Sequence, residues 1–325
     1  MNVRNAPVLT RGGRSNSGKQ MLRCKSCGHR FTTNIGQLSW YSHQDESKWN
    51  SLIQNTLEVN SIMETAADLD VSPSTAFRMR HKFLVFLAEA VESTCLVKPC
   101  EIDETFMPES HKGFLQPETN TSADEESRKR GVSDDKACLM TGIERGGTVY
   151  MHAYNMGRPA AEEVKPFFMD HIEPGTYIWT DGESSFTGLM KQNKCPFRIV
   201  KSTTEGDQVN NLETVNHLHS AVKEIYRRYR GVSTVYLNRY ANLFTIKQQY
   251  RDYDTQEILI ILLGKFRKVR QYFFVRELMD THLFEEPRVM AVRNRLRSLK
   301  SRMSGICLNR ASDRKNFNDF ALANA

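Results

Sequence analysis

Two aspartates sit where a sheet would expose them. Asp103 falls within Cys100-Glu-Ile-Asp-Glu-Thr-Phe106, which reads as a strand, and Asp181 directly follows the strand-like run Gly175 to Thr180. Open α/β sheets gather their reactive groups at such strand ends. Two carboxylates there make a candidate cation site, because hard Mg²⁺ or Mn²⁺ accepts one or two protein carboxylates and takes its other ligands from water and substrate phosphate. A third ligand is expected from a neighbouring helix. Asn216 lies 35 positions beyond Asp181, with His219 at i+3 and Lys223 at i+7, so the three share one helix face. Glu213, at i−3 from Asn216, is a rival third carboxylate. Taken singly, each residue has an ordinary reading: a strand-end Asp is commonly a turn former or helix cap, and Asn216, His219 and Lys223 suit a solvated helix face. Glu104 and Glu183, beside the aspartates, read as exposed charges or as groups supporting the ligands. His152, His171 and His217 have no evident partner.

The elements that must carry these residues divide the chain into four stretches. Residues 1–44 are rich in Arg, Ser and Gly and poor in apolar periodicity, and read as a small or partly disordered basic arm. Residues 45–98 read as helical: Trp49, Leu52, Ile53 and Leu57 recur at helical spacing, Ser61 to Leu69 forms a second segment, and Ser72-Pro73 supplies an N-cap and first helical residue for a third. That third helix is expected to bury Ala76, Met79, Phe83 and Phe86 or Leu87, and to offer Arg78, Arg80, His81 and Lys82 outside. Two short helices, a turn and a basic helix make a helix-turn-helix for the DNA major groove, with an ordinary helical connector as the rival. Residues 99–254 alternate strands and helices in a mixed α/β pattern, with a hairpin at Arg145-Gly146-Gly147, a polar loop over residues 108–135, and a helix from Leu212 to Tyr229. Tyr226-Arg-Arg-Tyr-Arg230 interleaves aromatic and basic residues as a DNA-tracking surface would. Residues 255–325 read as a basic helical tail in which Ile258 to Leu263 is the buried part.

Charge points to a polyanionic partner. Of 325 residues, 45 are Lys or Arg and 38 are Asp or Glu. The excess is concentrated: the first 44 residues hold seven bases and no acid, and Arg288 to Arg314 holds eight bases against Asp313 alone. Such ends gain affinity for phosphate by releasing counterions, or serve only as solvated tails. The seven cysteines are scattered and odd in number, which argues against a disulfide scaffold. Cys24-Lys-Ser-Cys27 has ligand spacing, but a structural zinc needs four ligands and no second Cys pair precedes it. His29 and His43 are the available substitutes. The longest apolar run, Ile258 to Leu263, is too short to cross a bilayer, and no export signal is visible, so the expected location is cytoplasmic, with no membrane partner.

Several blocks together resemble bacterial insertion-sequence transposases. They are Glu101-Ile-Asp103-Glu-Thr-Phe-Met-Pro-Glu-Ser110, Arg128-Lys-Arg-Gly131, Ile143-Glu-Arg-Gly-Gly147, Thr180-Asp181-Gly182 and Val215-Asn216-His-Leu-His219-Ser-Ala-Val-Lys223. The pattern is similar to the ISXO-type group, which joins a zinc ribbon and helix-turn-helix to an RNase H-like DDE catalytic domain whose third acidic position can be Asn followed by Lys. The resemblance covers roughly residues 20 to 250 and implies an α/β fold with an RNase H-like mixed sheet and flanking helices. It is preceded by a small helical DNA-binding domain and a partial zinc-ribbon-like arm. Arg23-Cys24-Lys-Ser-Cys27-Gly-His-Arg-Phe31 resembles the second half of the family's ribbon; the first half is absent, so Cys24 and Cys27 make at most an incomplete Zn²⁺ site.

The resemblance further implies that Asp103, Asp181 and Asn216 form the Mg²⁺- or Mn²⁺-binding triad, with Lys223 as the basic residue that follows it. On two-metal logic, Asp103 would bridge both ions, Asp181 would hold one and Asn216 the other. The expected function is a DNA transposase that binds element ends through Arg78, Arg80, Lys82, Arg227, Arg228 and Arg230, cleaves a strand and joins it to target DNA, and assembles as a homo-oligomer on double-stranded DNA. The rivals are a non-catalytic DNA-binding regulator or decayed copy, and a two-metal nuclease.

Overall fold

The computed structural model describes residues 9–110, 136–200, 209–266 and 278, apart from residues 17, 26, 27, 33, 35, 41, 183, 230 and 231. Cys27, Glu183, Arg128 to Arg130, Arg230 and nearly all of the tail beyond Phe266 therefore lie outside the described residues.

Where the sequence predicts a small or partly disordered basic arm, three short strands pair antiparallel: β1 (Leu9–Arg14), β2 (Gln20–Cys24) and β3 (Arg30–Thr32). Local turn chemistry supplies what apolar periodicity does not. The β2–β3 turn is closed by Gly28 N–H donating to Cys24 O and Cys24 N–H donating to His29 O, both at 2.9 Å. Gly28, at φ +71°, occupies the left-handed region that glycine enters without strain.

Three helices follow, each started by its own cap: α1 (Glu46–Leu57), α2 (Ile62–Asp68) and α3 (Pro73–Val91). Asp45 Oδ1 accepts Lys48 N–H at 2.9 Å, Ser61 and Glu64 form a reciprocal capping box, and Ser72 accepts Thr75 N–H with Pro73 in the first turn. α3 packs against α1 and α2, and also against two later helices, α7 (Leu237–Gln249) and α8 (Thr255–Phe266).

Neighbours on both sides overturn the expected outward basic face. Arg80 and His81 are buried along with Leu84, Val85, Phe86 and Leu87. Arg80 donates to Asn60 O at 2.8 Å and to Thr65 Oγ1 at 2.7 Å. Lys82 Nζ donates to Trp40 O at 2.6 Å, and burial pushes its pKa down to about 8. Arg78 remains exposed.

The second sheet has the order β6-β5-β4-β7-β8, formed by β4 (Cys100–Pro108), β5 (Lys136–Glu144), β6 (Val149–Met156), β7 (Ile178–Thr180) and β8 (Phe197–Ile199). β4, β5 and β6 pair antiparallel; β4 with β7, and β7 with β8, pair parallel. Parallel neighbours need crossover connections, and α4 (Ala161–Asp170) and α5 (Ser184–Gln192) fill those intervals. Three antiparallel strands flanked by two parallel ones on the side of the first is the RNase H-like arrangement. β5 is buried along nearly its whole length, as a strand covered on both faces must be.

The remaining elements are α6 (Glu213–Arg228) and a 3₁₀ turn, Thr234–Tyr236, leading into α7. One continuous apolar core runs from Leu38 through α3, the large sheet and α7 to Phe266. α8 follows helical periodicity rather than burying its whole apolar run: Ile258, Leu259, Leu262 and Phe266 face inward, and Ile260 is 68% exposed. No helix among the described residues is long and apolar enough to cross a membrane.

Candidate active site

The sheet register brings the two aspartates together. Ile102 on β4 pairs with Thr180 on β7, so Asp103 and Asp181, each one residue further along a parallel pair, stand side by side. Asp181 comes just after β7 ends, and Gly182 turns the chain away. At φ +91° that turn favours glycine, and a Cβ there would lie 2.5 Å from Ile199 Cγ2.

α6 approaches from the other side. His219 Nδ1 lies 3.7 Å from Asp103 Oδ2, and the charge of Lys223, one turn further on, is felt at both Asp103 and His219. Asn216 sits exposed on the first turns of the same helix, on the His219 face by its i, i+3 spacing. Glu213 is exposed at the start of α6.

The electrostatics favour a cation. Burial, and then the neighbouring Asp181 charge, raise the Asp103 pKa to about 7, against the lowering effect of the Glu104 N–H and of Lys223. Burial, and then Lys223, push His219 down to about 4. The imidazole is therefore neutral near pH 7, and its contact with Asp103 is dipolar rather than an ion pair. Among the described residues, the grouping of His, Cys, Asp and Glu able to converge on one ion is Asp103, Glu104 and Asp181, whose ligand oxygens lie within 4.8 Å of one another. An all-oxygen donor set with an excess of negative charge fits a hard divalent cation. Glu104 is the member that sequence spacing does not single out as a ligand. Alternation sends consecutive strand residues to opposite faces, so its convergence with Asp103 is visible only in three dimensions.

The remaining candidate residues are dispersed. Arg227 and Arg228 are exposed at the end of α6, Arg227 paired with Glu224. The tyrosines on either side of them are internal anchors, not a stacking platform: Tyr226 OH donates to Val232 O at 2.6 Å, and the Tyr229 ring lies 5.5 Å from the Arg80 guanidinium. Arg80 belongs to the core and Lys82 is largely enclosed, so both fall away as DNA contacts. Cys24 is buried, and its pairing with Cys27 lies outside the described residues. Among the described residues, Cys95, Cys100, Cys138 and Cys195 form no disulfide with one another.

No curated protein matches the chain. Among solved structures, the chain is similar to a pre-cleavage Mos1 transpososome at 9% identity, covering 71% of this chain and 80% of that one with a TM-score of 0.21. It is also similar to a Mos1 mariner paired-end complex with Mn at 11% identity, covering 72% and 81% with a TM-score of 0.23. The match that bears on the site is a family model spanning β4 to α7. Residues 96–249, which hold Asp103, Asp181, Asn216 and Lys223, match the model of the ISXO2-like transposase domain.

Proposed function

We propose that this transposase domain cleaves a DNA strand at element ends and joins it to a target through a site built on Asp103 and Asp181, with Glu104 and Asn216 completing the ligand set. The observation that carries the reading is the side-by-side placement of Asp103 and Asp181 on paired parallel strands, inside a domain of a transposase family. A bound divalent cation, Mg²⁺ or Mn²⁺, supplies Lewis-acid activation of the attacking oxygen and charge relief at the leaving oxygen. Asp103, half-buried and central on β4, holds the cation side of the site rigid. Asp181, at a strand end beside a glycine turn, faces the solvent from which DNA arrives. Lys223 offsets phosphate charge. Neutral His219 packs against Asp103 without competing for the cation by charge. Double-stranded DNA is the partner, held in part by exposed Arg78, Arg227 and Arg228, and two ends are paired by a homo-oligomer.

The test is incubation of the purified protein with plasmid DNA carrying the flanks of its own gene, in Mg²⁺, Mn²⁺ or EDTA. Metal-dependent breaks at the element boundaries are expected. Binding without a break would replace this reading with a DNA-binding regulator, and breaks unrelated to the boundaries would replace it with a nuclease.

Cation affinity should depend on pH. Because the folded Asp103 pKa is raised to about 7, a proton competes with the cation below that pH. Mn²⁺ affinity should fall by about tenfold per pH unit on going from pH 7 towards pH 5.5, and level off above pH 8. Titration calorimetry in buffers of different ionisation heat would show the released proton. A flat profile from pH 5.5 to 8.5 would exclude Asp103 as the ligand.

A further inference from the structure

The residues two positions before each aspartate form a second, buried layer. Glu101 is fully buried, on the Asp103 face of β4 by strand alternation, and it pairs in register with Trp179 of β7, two positions before Asp181. Glu101 Oε2 accepts the N–H of Val215 at 2.9 Å, in the first turn of α6, where the preceding Leu212 offers no side-chain cap. Its Oε1 accepts Arg145 Nε–H at 2.8 Å. From the β5–β6 turn, the Arg145 guanidinium also donates to Val209 O and to Asn211 O, the latter at 2.9 Å. It lies 3.9 Å from the centre of the Trp179 ring. Trp179 Nε1–H in turn donates to Asn210 Oδ1 at 3.2 Å.

A helix start leaves N–H groups that a local Ser, Thr, Asp or Asn usually satisfies. Here the cap comes from the strand that carries Asp103. The distance from α6 to the aspartates is thereby set by a side chain of the sheet, and the approach to the helix, residues 209–211, is held by a planar fork that lysine cannot imitate.

We propose that Glu101, Arg145 and Trp179 are positioning residues that fix α6, with Asn216, His219 and Lys223, over Asp103 and Asp181. The inference rests on the transposase reading for its catalytic consequence, while its geometric content stands apart from that reading. None of the three residues need touch DNA or cation.

The experiment compares wild type with Arg145→Lys, Glu101→Gln and Glu101→Ala, by cleavage kinetics and by amide hydrogen exchange. Arg145→Lys keeps the charge but loses the fork. Its kcat should fall by about 10- to 100-fold with KM for DNA nearly unchanged, the usual range for loss of a group supporting a site. Amides of residues 213–217 should exchange at least about tenfold faster, with those of β4 and β5 unchanged. Glu101→Gln retains an acceptor for Val215 N–H and should restore much of what Glu101→Ala loses.

Exchange at the start of α6 like that of wild type would overturn the proposal. So would faster exchange spread evenly over the sheet, or Gln and Ala variants equally impaired. If wild type itself fails to cleave, the transposase reading fails, and the exchange measurement still decides the positioning role.

Discussion

Asp103→Asn is expected to reduce DNA cleavage by about 10³-fold or more while making the metal-free protein more stable above neutral pH. The first effect follows from removing a charged ligand: losing several kcal/mol of transition-state charge stabilisation is a factor of about 10³ in rate. The second follows from the site's own electrostatics. Burial and the adjacent Asp181 both oppose ionisation of Asp103, so once pH exceeds about 7 the folded state carries a strained carboxylate that the unfolded chain does not. Asparagine keeps the shape and discards the charge. Asp181→Asn should impair cleavage comparably with little gain in stability, because Asp181 is exposed and screened by solvent. Cleavage rates in Mg²⁺, DNA affinity and metal-free melting at pH 8 separate these outcomes, with DNA affinity expected within a few-fold of wild type. An Asp103→Asn protein that cleaves within tenfold of wild type would remove Asp103 from the site. One that melts earlier would show that its role is structural.

A gain of stability on losing a charge would separate a working site from a fold-bearing residue. Strand patterning marks Asp103 within one strand, and strand patterning with a following glycine marks Asp181 at the end of another, before any coordinates. Ser72-Pro73 marks the start of α3 because cap chemistry is local. The arrangement β6-β5-β4-β7-β8 is consistent with the mixed pattern and the family resemblance, since crossover rules leave few alternatives. What stays hidden depends on distant partners. Glu104 joins the carboxylate cluster against strand alternation. Glu101 caps a helix 114 positions away, and no spacing rule links the two. The strands β1 to β3 stand on turn geometry that a composition rich in Arg, Ser and Gly conceals.

α3 gives the sharpest case, because its basic residues look alike in sequence and differ in place. Arg78 is exposed, whereas Arg80 is wholly buried between α2 and the later helices, with Asn60 O, Thr65 Oγ1 and the Tyr229 ring as its partners. Periodicity assigns both to an outer face, because nothing local to α3 announces that α7, some 160 positions on, packs against it.

The two arginines should therefore fail in different ways. Arg80→Ala opens a large cavity and leaves a buried carbonyl and hydroxyl without their donor, so a loss of roughly 3 kcal/mol or more is expected. Its DNA affinity, measured where the variant is still folded, should match wild type. Arg80→Met fills most of the volume and removes a buried charge, and should recover much of that loss. Arg78→Ala should leave stability within about 0.5 kcal/mol, weaken DNA binding and lower the salt slope by about one counterion, as loss of a single phosphate contact does. Urea midpoints and binding at two salt concentrations distinguish the pair. An Arg80→Ala protein with an unchanged midpoint and tenfold weaker binding would return Arg80 to the DNA face and remove α3 from the core.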